Sequence, residues 1–168
     1  WIKNMIKAVI FDWGGVLINN PEKGLILFCA NSLGVSEKLF ISAYKKFKDD
    51  FQKGIIPEDA FWNKICGELK IQKPNTYSLW GDAFRHTYSP KEEMFLLAAK
   101  LRNQGYKIGF LSNTEVPAMK YFHEKGYGMF DAAIFPCAEG TIKPERKIYE
   151  TALNKLGVKP HEAIFIDD

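Results

Sequence analysis

Residues 8–17 read "AVIFDWGGVL", and they decide the fold. Ala8–Phe11 is a short apolar run rich in β-formers, as expected of a strand buried on both faces. It ends on a carboxylate, Asp12, and a buried strand has no structural use for an unpaired charge at its tip. Gly14 and Gly15 follow, removing side chains where the backbone must turn sharply or come close to something. An acid beside a glycine turn at the C-terminal end of a strand is a place for chemistry in an open parallel sheet.

Beyond this strand the pattern changes. "PEKGLILFCANSLG", "SEKLFISAYKKFKDDFQKG", "PEDAFWNKICGELK" and "NTYSLWGDAFRHTY" place apolar residues three and four apart and end at Gly, Pro or polar breaks. In the second, Leu39, Phe40, Ala43, Phe47 and Phe51 fit one helical face. Residues 18–88 therefore read as an inserted helical bundle. From Ser89 onward helices and strands alternate, with "KIGFLSN", "FDAAIF" and "AIFID" as strands and "PERKIYETALNKLG" as a helix with Pro first. That alternation predicts a parallel sheet with right-handed crossovers. The expected fold class is α/β, with a Rossmann-like core from residues 1–17 and 89–168 and an all-helical cap from 18–88.

The bulk properties narrow the function. The chain has 168 residues, 46% hydrophobic content and a net charge of +3. No basic stripe points to nucleic acid. The N-terminal apolar segment is too short and too charged for a signal peptide or a membrane span. Cys29, Cys66 and Cys137 follow no metal-binding spacing and read as reduced structural thiols, which favours the cytoplasm. Met5 looks like a natural start, with "WIKN" as an extension. The chain stops at a strand tip, and a further strand and helix are expected beyond it. A monomer or weak homodimer is expected.

Ligands bind at the C-terminal ends of parallel strands. Those ends offer Asp12, then Ser112, Asn113 and Thr114, then Lys143 in the loop after the third strand, then Asp167 and Asp168. Three carboxylates at one point repel unless a cation sits among them, and Mg2+ suits an all-oxygen site. A lysine and a hydroxyl add what a phosphoryl group needs. Backbone N–H groups of the "DWGG" turn, Trp13's among them, add more donors.

"IFDWGGVL", "FLSNT", "GTIKPERKIY" and "AIFIDD" occur in the order and spacing of the four motifs of the haloacid dehalogenase superfamily, which the whole chain resembles. The branch it resembles more closely is that of small bacterial sugar-phosphate phosphatases. The resemblance implies that Asp12 is a nucleophile forming an aspartyl-phosphate. It makes Ser112 and the Asn113 backbone phosphate ligands and Lys143 a catalytic and phosphate-binding cation. It implies Mg2+ held by Asp12, the Gly14 carbonyl, Asp167 and Asp168. The expected substrate is a small phosphorylated metabolite, and a sugar phosphate fits.

One departure stands out. Most phosphatases of that superfamily carry a second Asp at the position of Gly14, where it serves as acid and base. Such help is worth roughly 10²–10⁴-fold, so its loss favours good leaving groups. Alternatives are a 2-haloacid dehalogenase, or a catalytically weak binding or regulatory protein. Dehalogenases generally lack the acidic pair, which argues against the first. Receiver domains place their acidic pair first in the chain, which is the wrong order here.

Overall fold

The computed structural model describes residues 6–168. The reading of Met5 as a start falls on residues 1–5, outside those described. The core is a four-stranded parallel sheet of β1 (Ala8–Phe11), β2 (Lys107–Leu111), β3 (Ala132–Ile134) and β4 (Ala163–Ile166), in the order β3-β2-β1-β4. β1 lies centrally, paired with β2 from Ala8 opposite Lys107 and with β4 from Ala8 opposite Ala163. All four of its residues are buried, which is why it reads as an unbroken apolar run.

Alternate side chains of β1 face opposite ways. Val9 and Phe11 pack with Phe95 and Ala98 of α5 (Glu92–Asn103) and Ala118 and Phe122 of α6 (Val116–Lys125). Ala8 and Ile10 pack with Ile148, Ala152 and Leu156 of α8 (Arg146–Leu156). Both faces of the sheet are thus covered, as the βα alternation implies.

Between β1 and α5 stand four helices: α1 (Glu22–Leu33), α2 (Glu37–Gln52), α3 (Glu58–Leu69) and α4 (Leu79–Thr87). Ser36 starts α2 by accepting a hydrogen bond from the Leu39 N–H, and Ser78 starts α4 by accepting one from the Gly81 N–H. Their shared core is aromatic. The rings of Phe51 and Phe61 stack 4.1 Å apart, and those of Tyr44 and Trp80 5.4 Å apart. The chain enters and leaves this bundle through two adjacent connectors, tied by Asn19 N–H to Ser89 C=O (2.8 Å) and Lys91 N–H to Leu17 C=O (2.9 Å).

The structure differs from the sequence reading in places. Leu39 is 55% exposed, and the buried face of α2 runs instead through Phe40, Ala43, Tyr44, Phe51 and Gln52. α8 begins at Arg146, so Pro144 lies in the preceding loop rather than in the helix. α7 (Pro136–Glu139) went unread because a single turn carries no periodicity. Among the described residues no single helix is long and apolar enough to cross a membrane.

Candidate active site

Asp12 sits at the C-terminal tip of β1, 7% exposed. Its Oδ1 accepts from the Trp13 backbone N–H at 2.6 Å and its Oδ2 from Lys143 Nζ at 2.8 Å. Lys143 also donates to Asp167 Oδ1 at 3.0 Å. The lysine is aimed by a reciprocal clamp: Asn113 Oδ1 accepts from the Lys143 backbone N–H at 2.9 Å, and Asn113 Nδ2 donates to its carbonyl at 3.0 Å. The tips of β1 and β4 and the loops after β2 and β3 thus meet at one rim of the sheet.

The electrostatics follow from this crowding. Burial, with Asp167 alongside, pushes the Asp12 carboxyl up to about 6, although Lys143 and Ser112 pull it down. Asp167 moves the other way: its hydrogen bonds to Asp12 and Lys143 overcome its partial burial and hold it below the usual carboxylate range. Burial alone would lower the Lys143 ammonium, but Asp12 and Asp167 outweigh it and keep the charge.

Asp12, Asp167 and Asp168 bring carboxylate oxygens within 4.8 Å of one another. Gly15 makes room for this. Its φ is +82°, and a Cβ there would lie 2.1 Å from Asp168 Oδ2. An all-oxygen cluster cradled against bare backbone fits a hard divalent cation. Gly14 lines the same cavity. A Cβ on it would lie 3.0 Å from Pro21 Cδ, so this position has little room for a longer side chain.

Ser112 and Thr114 are buried beside Asp12, and both line the cavity with Asn113. The Trp13 ring faces away, packed on Phe84 (4.8 Å), Phe110 (5.5 Å) and Phe122 (5.5 Å), so its backbone N–H is the part that meets Asp12. Arg85 forks onto Glu124 at 2.7 and 3.0 Å. No histidine lines this cavity.

The cavity, about 380 Å³, runs from the acids up to the inner face of α2. Several of its residues carried no sequence signal as site groups. Glu115, wholly buried, accepts from Gln52 Nε2 and from Trp80 Nε1, both at 3.0 Å. Burial raises its carboxyl above the usual range against those two hydrogen bonds. Tyr44, Lys48 and Gln52 complete the wall.

The family model for haloacid dehalogenase-like hydrolases matches residues 6–168. The chain belongs to that family. The haloacid dehalogenase-like chain is 27% identical over 172 residues to pyrophosphatase PpaX of Bacillus cereus (strain AH820), covering 97% of this chain and 74% of that protein. It is 26% identical over 172 residues to mouse (Mus musculus) acyl-CoA dehydrogenase family member 10, covering 96% of this chain but spanning only 16% of that relative. It spans 33% of rat (Rattus norvegicus) bifunctional epoxide hydrolase 2, at 23% identity over 97% of this chain. Among solved structures, HAD family enzyme bt-2542 of Bacteroides thetaiotaomicron superposes with a TM-score of 0.81 at 24% identity, covering 97% of this chain and 84% of that one. The α/β fold of this chain is therefore shared with known family members.

Proposed function

We propose that this hydrolase cleaves the phosphate monoester of a small metabolite, with Mg2+ as cofactor and an aspartyl-phosphate formed on Asp12. The observation that carries the reading is Lys143, whose ammonium bridges Asp12 and Asp167 at 2.8 and 3.0 Å within the acid cluster. That arrangement sets a nucleophilic carboxylate, a fixed cation and a metal-ready cluster around one point. Support also comes from relatives. PpaX is named a pyrophosphatase, and the Bacteroides enzyme was crystallised in complex with magnesium and inorganic phosphate.

In this reading Asp12, Asp167, Asp168 and the Gly14 carbonyl hold the cation. When bound, it supplies positive charge that keeps Asp12 ionised and offsets charge on the phosphoryl oxygens. Ser112 and the backbone N–H groups of Trp13 and Asn113 orient those oxygens. An Asp12 carboxylate oxygen forms a bond to phosphorus as the ester oxygen leaves with the bonding pair. Water then attacks the same phosphorus, the bond to Asp12 breaks, and the carboxylate is regenerated with inorganic phosphate released. Lys143 stays charged throughout and stabilises both displacements. With Gly14 where an acid could stand, the departing oxygen receives no proton from that position, and esters with good leaving groups react fastest.

The test is turnover of p-nitrophenyl phosphate with and without Mg2+. The reading expects hydrolysis that stops on chelation and is lost in Asp12→Asn. Halide release from a 2-haloacid in the presence of chelator overturns it.

A further inference from the structure

Gly14 gives the departing oxygen no proton donor at its own position, yet the cavity holds one acid that is not otherwise engaged. Five carboxylates line it: Asp12, Glu22, Glu115, Asp167 and Asp168. Three of them form the acid cluster. Glu115 is taken up by the hydrogen bonds it accepts from Gln52 and Trp80. Glu22 is left. It is exposed, and its carboxylate makes no hydrogen bond or ion pair among the described residues.

The chain carries Glu22 to the place where a side chain at position 14 would begin. That place is filled by Pro21: a Cβ on Gly14 would lie 3.0 Å from Pro21 Cδ and 3.9 Å from its Cγ. Glu22 follows directly and opens α1. Consecutive Cα atoms stand about 3.8 Å apart, so the Glu22 side chain starts beside the spot that Gly14 leaves bare. One carboxamide also ties this residue to the cluster. Asn20 Nδ2 donates to Asp168 Oδ2 at 3.4 Å, and Asn20 Oδ1 accepts from the Glu22 backbone N–H at 3.1 Å. The Glu22 charge is felt on the buried wall, where, after burial and Glu115, it helps to hold the Tyr44 hydroxyl neutral. The other charged groups lining the cavity are Lys48 and Lys143. Beside a phosphate dianion a carboxyl keeps its proton more readily, which suits an acid.

We infer that Glu22 is the general acid and base of this hydrolase, supplied from the start of α1 in place of a side chain at position 14. The inference rests on the phosphatase reading, because the phosphoryl group must sit at Asp12 for Glu22 to meet the departing oxygen. In the first displacement an Asp12 oxygen bonds to phosphorus. The ester P–O bond breaks with its pair on the departing oxygen, and the Glu22 carboxyl gives that oxygen its proton. In the second, water bonds to phosphorus and loses a proton to the Glu22 carboxylate. The bond to Asp12 breaks and its pair returns to that carboxylate. Such a donor brings esters of ordinary alcohols within reach of the enzyme.

The experiment compares wild type with Glu22→Gln on p-nitrophenyl, phenyl and benzyl phosphate, whose leaving groups worsen in that order. For benzyl phosphate kcat/KM should fall by about 10²–10⁴-fold, the scale of lost acid–base help. For p-nitrophenyl phosphate, whose leaving oxygen departs unaided, it should fall by less than about 10-fold, with phenyl phosphate between the two. The variant should also release a burst of p-nitrophenol equal to the enzyme concentration and then turn over slowly, because its second displacement lacks a base. Its melting temperature, and its Mg2+ affinity by calorimetry, should match wild type. Equal losses on all three esters overturn the inference, as do an undiminished kcat/KM on benzyl phosphate and a progress curve without a burst. A weakened Mg2+ affinity also overturns it, since the loss then acts through the acid cluster. A wild type that hydrolyses p-nitrophenyl phosphate but neither poorer ester overturns the inference and leaves the phosphatase reading standing. A wild type that hydrolyses none of the three overturns the phosphatase reading itself.

Discussion

Substituting Gly15 by Ala tests how the acid cluster is assembled. The added methyl would lie 2.1 Å from Asp168 Oδ2 and 2.3 Å from its Cγ, whereas ordinary contact begins at 3.4 Å. The carboxylate must therefore retreat by about 1.3 Å or rotate away, which takes a charge out of the cluster. The φ of +82° adds a backbone cost of about 1–2 kcal/mol for a residue with a Cβ. In a chain of this size that corresponds to a melting-temperature drop of roughly 2–8 °C. Displacing a metal-site group typically weakens binding by 10–100-fold, so the Mg2+ concentration for half-maximal turnover should rise by about 10-fold or more. Gly34→Ala is the control. Gly34 has φ +66°, with nothing within 4 Å of its would-be Cβ, so it carries the backbone cost without the clash. Turnover against Mg2+ concentration, with thermal melts of all three proteins, reads both effects. A Gly15→Ala protein with wild-type Mg2+ dependence refutes the reasoning, as does a Gly34→Ala protein that shifts it equally.

Other perturbations have equally definite outcomes. Lys143→Met leaves Asp12 and Asp167 without their shared cation, and kcat should fall by at least roughly 10²-fold, the scale for removing one preorganised charge-stabilising donor; steady-state kinetics at saturating Mg2+ check this. Glu115, wholly buried, is raised above its ordinary value of 4.5 by burial. A raised folded value means its stabilising contribution is present below pH 4.5 and lost as pH rises through the folded value. The melting temperature of Glu115→Gln should therefore gain on wild type as pH rises above 4.5, and a gap independent of pH would contradict this. Arg85 pairs with Glu124 at a site where both side chains are about half exposed, and such a pair is worth at most about 1 kcal/mol. Arg85→Ala should melt no more than about 4 °C lower with turnover of p-nitrophenyl phosphate within twofold of wild type.

The sheet and the acid cluster were legible because buried parallel strands leave plain marks. β1, β2 and β4 are short apolar runs, and Asp12, Ser112, Asp167 and Asp168 stand directly beyond their ends. β3 falls inside the stretch "FDAAIF" read as a strand, shortened to three residues, whereas α7, with four, is too short for any period to register. The wall facing the acids was not legible for a different reason. Amphipathic periodicity distinguishes a core face from a solvent face, and the inner side of α2 is neither. Tyr44 and Gln52 look like surface residues by type, yet they are buried against a cavity, while Leu39 looks like core and is exposed. Glu115 follows "SNT" and reads as turn composition. Its burial depends on Trp80 and Gln52, which come from the inserted helices and are far from it in the chain.

The direct test of the central claim is to trap the covalent intermediate. Wild-type enzyme mixed with Mg2+ and p-nitrophenyl phosphate is quenched in acid within a turnover, reduced with borohydride and mapped by peptide mass spectrometry. Reduction of an acyl phosphate at residue 12 converts that aspartate to homoserine, and the account predicts this change at Asp12, and only when Mg2+ and substrate are both present. An unmodified Asp12 under conditions of active turnover, or a modified residue elsewhere, would contradict it.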